Sequence, residues 1–197
     1  AVMARSAVLA KLVVVRAPAG YGKTVFLSHL HQARSQRGQR CLWLTLDDRD
    51  ASVSSVIYLL EAALRQADLV DRPVRPAGMA NMADEADAAG ERLNDPRDGV
   101  DRLLATLAQL PEPVALFIDN QGFCHDPQWP ALLDRLVFAT GAGLRLVLST
   151  ADALPIDMTR AKLELGAVEV GVEHLALDPD AIAQLLAHAG QIGRAHV

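Results

Sequence analysis

The chain has 197 residues, of which 51% are hydrophobic and 22% charged, and its formal net charge is −5. That is the composition of a globular domain long enough to bury a sizeable core. The acidic balance argues against this segment gripping nucleic acid by itself, and no apolar run reaches the ~18 residues that a membrane span needs.

The two cysteines, Cys41 and Cys124, lie in apolar stretches. They fit reduced core thiols of a cytoplasmic protein rather than a disulfide framework. The acidic excess is local, because residues 68–101 hold nine acids against four arginines.

The first element in chain order is the apolar run "LVVV" (12–15), followed by "APAGYGKT" (17–24) and a helical pattern from Thr24 to Arg37. A glycine-rich turn between a strand and a helix is the setting of a phosphate-cradling loop. The backbone N–H groups of Gly20, Tyr21, Gly22, Lys23 and Thr24 are expected to line one concavity, with Ala19 and Val25 at its two ends. The positive end of the helix dipole adds to their pull on an anion. Lys23 is the candidate for the β- and γ-phosphates of ATP, and the Thr24 hydroxyl for Mg²⁺. Ala17 stands where the general loop pattern has its first glycine. That position makes the bend out of the strand, which alanine tolerates at negative φ.

The run "CLWLTL" (41–46) leads to "DDRD" (47–50), and Asp50 or Ser52 is expected to cap the next helix. Its apolar residues Val53, Val56, Ile57, Leu60 and Leu64 recur at helical spacing. The Pro-, Ala-, Gly- and Asp-rich segment 71–99 reads as a mobile acidic insertion. Leu103, Leu104, Leu107 and Leu110 form a further helix face, stopped by Pro111 and Pro113.

"VALFIDN" (114–120) is an apolar strand ending in Asp119. A magnesium site needs a second anchor, and an acid directly after a strand emerges at the same carboxyl edge as the phosphate loop. The next residue, Asn120, can orient a water but cannot take its proton. A missing general base commonly costs about 10²–10⁴-fold in rate. Leu132, Leu133, Leu136 and Val137 mark another helix. "LRLVLS" (144–149) and the weaker "AVEVGV" (167–172) complete five strands, and "DPDAIAQLLAHAG" (178–190) has the caps of a last helix. Near-continuous apolar strands alternating with helices give an α/β, doubly wound, mainly parallel sheet. The expected organisation is one P-loop NTPase domain over 1–190. The tail "QIGRAHV" (191–197) matches the translation of a common sequencing adapter and is set apart from the fold, with the natural protein expected to continue beyond it.

The loop 17–24, together with Trp43, Leu44, Leu46, Asp47 and Asp50 of "WLTLDDRD", resembles the nucleotide-binding domain of MalT-like regulators. These are the large ATP-binding LuxR-type transcription factors of the STAND class of P-loop NTPases. The segments 144–155 and 172–186 extend the resemblance over nearly all of 11–190. It implies a three-layer fold with strand order 5-1-4-3-2 and an ATP- or ADP-dependent switch that self-associates. Promoter DNA would be bound through a C-terminal domain absent from this chain. In this family Ala17 is the expected residue. Two positions depart from it: Asn120 stands where a second acid is usual, and Ala151 where an arginine is usual. The resemblance therefore implies Mg-ATP binding with slow or absent hydrolysis, with Lys23, Asp119 and Asn120 as the catalytic candidates and Thr24 and Asp119 as the Mg²⁺ ligands.

Other readings are a nucleotide-binding interaction module without turnover, a GTPase suggested by "DNQG" (119–122), and a small-molecule kinase. An Asp119 strand lying directly beside strand 12–15 would overturn the 5-1-4-3-2 order and favour the GTPase reading. Cys124-His125, His29, His31, Trp43 and the Asp47–Asp50 turn are read as loop, surface or packing residues rather than metal ligands.

Overall fold

The structure, a computed structural model, describes residues 7, 10–48, 52–69, 96–110, 112–139 and 143–175. The proposed 178–190 helix, the 191–197 tail, Asp50 and residues 70–95 of the acidic segment lie outside the described residues. The strands are β1 (Leu12–Arg16), β2 (Arg40–Thr45), β3 (Val114–Asp119), β4 (Leu144–Thr150) and β5 (Val168–Val170). The helices are α1 (Lys23–Ser35), α2 (Val53–Gln66), α3 (Pro96–Ala108), α4 (Trp129–Phe138), α5 (Met158–Leu165) and the short α6 (Val172–Leu175).

All four strand pairings are parallel. The sheet order is β2-β3-β4-β1-β5, which read from the β5 edge is 5-1-4-3-2. β4 thus separates β1 from β3, so the arrangement that would favour the GTPase reading is not the one observed. Burial follows from position in the sheet. Every residue of β3 is buried, whereas β2, at the edge, alternates.

The two sheet faces carry separate cores. Leu12 and Val14 of β1, Leu116 and Ile118 of β3, and Leu146 and Leu148 of β4 pack with the apolar faces of α2, α3 and α4. The odd-numbered Val13, Val15, Phe117 and Val147 point the other way, onto Leu27 and Leu30 of α1. The period-two alternation of side chains thus makes three layers from strands that read as uniformly apolar. On the α1 side Phe117 stacks on Trp43 at 5.6 Å, nearly parallel, and His31 meets both rings edge-on. His31 and Trp43 are packing residues, as expected.

Two boundaries differ from the sequence reading. α3 begins at Pro96, inside the proposed insertion, because proline at a first turn needs no N–H partner there. The helix α5 was not foreseen. Asp157 caps it by accepting from the Arg160 N–H at 2.9 Å, and Gly166 ends it in a left-handed conformation. A weak apolar periodicity over 158–165 hid these two signals.

Phe117→Ala removes the ring on which Trp43 and His31 pack. It is expected to lower stability by about 3–5 kcal/mol, measured by urea unfolding.

Candidate functional site

β1 ends at Arg16, and the chain turns through Ala17 to Gly22 before α1 starts at Lys23. The Ala17 N–H donates to the Thr150 carbonyl at 3.2 Å, so the loop leaves the sheet still tied to β4. Gly20 and Gly22 have φ of 82° and 77°. A Cβ at either would meet nothing within 4 Å. Glycine is therefore required by backbone conformation and not by crowding. The loop is exposed from Pro18 to Gly22, and Gly22 caps α1 without a side chain, so the first N–H groups of the helix have no side-chain acceptor at the cap. Lys23 Nζ donates to the Pro18 carbonyl at 3.0 Å, bridging the mouth of its own loop.

Thr24 Oγ1 donates to Asp119 Oδ2 at 2.7 Å. This joins the first turn of α1 to the end of β3, across 95 residues of sequence, and brings together the two candidate magnesium ligands. Both present hard oxygen atoms, which suit Mg²⁺. Asp119 is 1% exposed. Its Oδ1 accepts from the Ser149 hydroxyl and from the Asn120 N–H at 3.1 Å. The buried charge is thus compensated by three donors from three elements.

Asn120 sits in the left-handed region, φ 59° and ψ 42°, and opens a 3-10 turn over Gln121–Phe123. Asparagine tolerates this conformation better than most residues. Its N–H also lies 2.9 Å from Ser149 Oγ. The backbone of Asn120 is thus held from two sides.

Next to it, the buried Gln121 donates to Thr150 Oγ1 at 3.0 Å and accepts from Trp129 Nε1 at 2.8 Å. Thr150 donates in turn to the Asp152 carbonyl at 3.0 Å. Asp126 accepts from the Val53 N–H at 2.9 Å and from the Gln128 N–H at 2.8 Å, joining the starts of α2 and α4. The sequence reading missed Ser149, Gln121 and Asp126, since single polar residues at a strand end or in the loop beyond it carry no local sign of their partners.

The remaining candidates fall as follows. Tyr21 and Val25 are exposed beside the loop, and Ala19 is at its tip. Arg160 is the first arginine after β4, but it pairs with Glu164 at 3.0 Å and covers the Phe138 ring at 4.0 Å. It is committed to the surface of α5. Among the described residues no group of three or more His, Cys, Asp or Glu could hold a metal, and no helix is long and apolar enough to cross a membrane. A cavity of about 370 Å³ between Val53, Val100 and Leu132 shares no residue with the loop.

The family model described as Nephrocystin 3, N-terminal, matches residues 5–148. The chain belongs to this family. The match runs from before β1 into β4 and so includes the loop, Thr24 and Asp119. The serine/threonine-protein kinase PknK of Mycobacterium tuberculosis is 24% identical over 182 residues. That alignment covers 91% of this chain but 15% of PknK, and PknK of Mycobacterium bovis matches equally. The chain therefore spans a small part of the curated relatives it matches. Among solved structures, the ORC1 protein of Aeropyrum pernix, in complex with DNA, superposes with a TM-score of 0.51 at 18% identity, over 82% of this chain and 39% of that one. Cdc6p from Pyrobaculum aerophilum gives 0.51 at 16% identity, over 80% and 38%. These likenesses show the fold, a P-loop α/β architecture.

Gly22→Ala tests the loop conformation directly. With no atom to strike, its cost is that of a left-handed alanine, about 1–2 kcal/mol in thermal or urea unfolding.

Proposed function

We propose that this chain is the ATP-binding switch domain of a larger regulatory protein of the MalT-like, STAND kind. The observation that carries the reading is the Thr24–Asp119 contact at the foot of a loop held open by two left-handed glycines. Phosphates would sit on the loop N–H groups and the helix N-terminus, with Lys23 exchanging the Pro18 carbonyl for phosphate oxygens. Thr24 and Asp119 would hold Mg²⁺, which would neutralise charge on the phosphates. The MalT-like assignment rests on "APAGYGKT" and "WLTLDDRD", and the short span relative to PknK suits a module of a longer chain. Self-association, and promoter binding through a C-terminal domain outside this chain, belong to the same reading.

Hydrolysis is proposed to be slow or absent. Asn120 cannot act as a general base, and its backbone is fixed in a turn rather than continuing β3. Arg160, tied to Glu164, is a poor candidate for sensing a γ-phosphate.

Lys23→Ala is expected to weaken ATP binding by about 10- to 150-fold, the loss of a charge-assisted hydrogen bond or two. Titration of the intact protein with a fluorescent ATP analogue measures it, and unchanged affinity would refute the site. In single-turnover experiments the wild type is expected to convert ATP over minutes or longer. Turnover of many per second would overturn the slow-switch reading while leaving the binding site in place.

A further inference from the structure

The described residues include five that are polar or charged and buried: Arg34, Asp119, Gln121, Ser149 and Thr150. Four of these lie at the carboxyl ends of β3 and β4, and they form two separate hydrogen-bonded sets. Thr150 belongs with Gln121, Trp129 and Asp152. Ser149 belongs with Asp119 and the Asn120 N–H.

Ser149 is fully buried, so its hydroxyl has no solvent to turn to. Its one proton goes to Asp119 Oδ1, and its lone pair accepts from the Asn120 N–H at 2.9 Å. This fixes both the direction of the hydroxyl and the rotation of the carboxylate. With Oδ1 held by Ser149 and the Asn120 N–H, Oδ2 is left facing Thr24.

We propose that Ser149 is a positioning residue for a magnesium site formed by Asp119 and Thr24, holding the carboxylate so that Oδ2 is presented to the metal. The inference rests on the nucleotide-binding reading and goes further by giving β4 a part in metal binding. Without the Ser149 hydroxyl, Oδ1 keeps only the Asn120 N–H, and with Thr24 alone on Oδ2 the carboxylate is held less firmly about its Cβ–Cγ bond. Metal-dependent affinity then falls, because the ligand must be ordered as the metal binds. Nucleotide contacts that do not involve the metal are unaffected.

The test measures binding of a fluorescent ATP analogue to the intact protein, once with Mg²⁺ and once with EDTA. The readout is the ratio of the two affinities. Ser149→Ala is expected to reduce this ratio by about 3- to 10-fold, less than the full worth of a hydrogen bond to a charged group because the Asn120 N–H and Thr24 still hold the carboxylate, with the EDTA affinity unchanged. Ser149→Cys keeps more of the volume but has a weak donor. It is expected to behave the same way and serves if the alanine variant folds poorly. Thr150→Val removes the neighbouring buried hydroxyl, which does not touch Asp119, and is expected to leave the ratio as in the wild type. An unchanged ratio in both Ser149 variants overturns the inference, as does an equal fall in Thr150→Val, which would mark a general loosening of the strand end. Lys23→Ala separates the two levels. If it weakens binding as expected while Ser149→Ala leaves the ratio intact, only the role of Ser149 fails. If Lys23→Ala binds normally, the nucleotide site itself is wrong and the inference falls with it.

Discussion

The Asp119 carboxylate is a charge taken almost wholly out of water at the carboxyl edge of the sheet. Leaving such a group unpaired costs several kcal/mol, so the surrounding chain must bring donors to it. Three segments do so: the first turn of α1 through Thr24, the end of β4 through Ser149, and the turn after β3 through its own backbone. These segments are joined by no short-range sequence. Satisfying one carboxylate therefore fixes how the phosphate loop, β3 and β4 sit relative to one another.

The strand order makes that convergence possible. β4 lies between β1 and β3, in register with both: Leu146 opposes Leu12 on one side and Leu116 on the other. Its last two residues are consequently within reach of both the phosphate loop and the Asp119 turn. The Thr150 carbonyl holds Ala17, and the Ser149 hydroxyl holds Asp119. Were β3 directly beside β1, no strand end would stand between them to supply these bonds. The central position of β4 thus matters for the site as well as for burying its apolar residues.

Much of this arrangement was legible in the sequence, for reasons that differ by residue. Gly20, Gly22, Lys23 and Thr24 announce themselves because the loop is contiguous and each position has its own chemical demand. Asp119 was legible from its place after five apolar residues. The strand order came from resemblance, since parallel strands of similar composition carry no local sign of which neighbours they choose. Ser149 was not legible. Its role depends on the β3–β4 register and on which face of β4 it occupies, neither of which a serine after "LRLVL" reveals. The left-handed turn at Asn120 was hidden for a related reason. The residue drew notice for the acid it lacks, whereas its backbone conformation follows from how the chain leaves β3.

Arg34, the other buried charge among the described residues, meets the same physical problem at the far end of α1. Burial, and then the nearby Arg145, lower its pKa to about 10. Nη2 donates to the carbonyls of Ala7 and Ala10 at 2.9 and 3.0 Å, while Nε and Nη1 have no hydrogen-bond partner among the described residues. Hydrogen bonds from a charged donor contribute about 1.5–3 kcal/mol each, similar to the several kcal/mol that burying the charge costs. Net stability is therefore a poor account of this contact, and its visible effect is positional. It pins the chain just before β1 to the last turn of α1, about 16 Å along the helix from Lys23. The helix that carries the phosphate loop is thereby tethered at both ends, at Thr24 by the Asp119 carboxylate and at Arg34 by backbone carbonyls. A shift of α1 along its axis would strain both contacts at once. The rigidity of the loop thus depends on residues far from it as well as on its own two glycines.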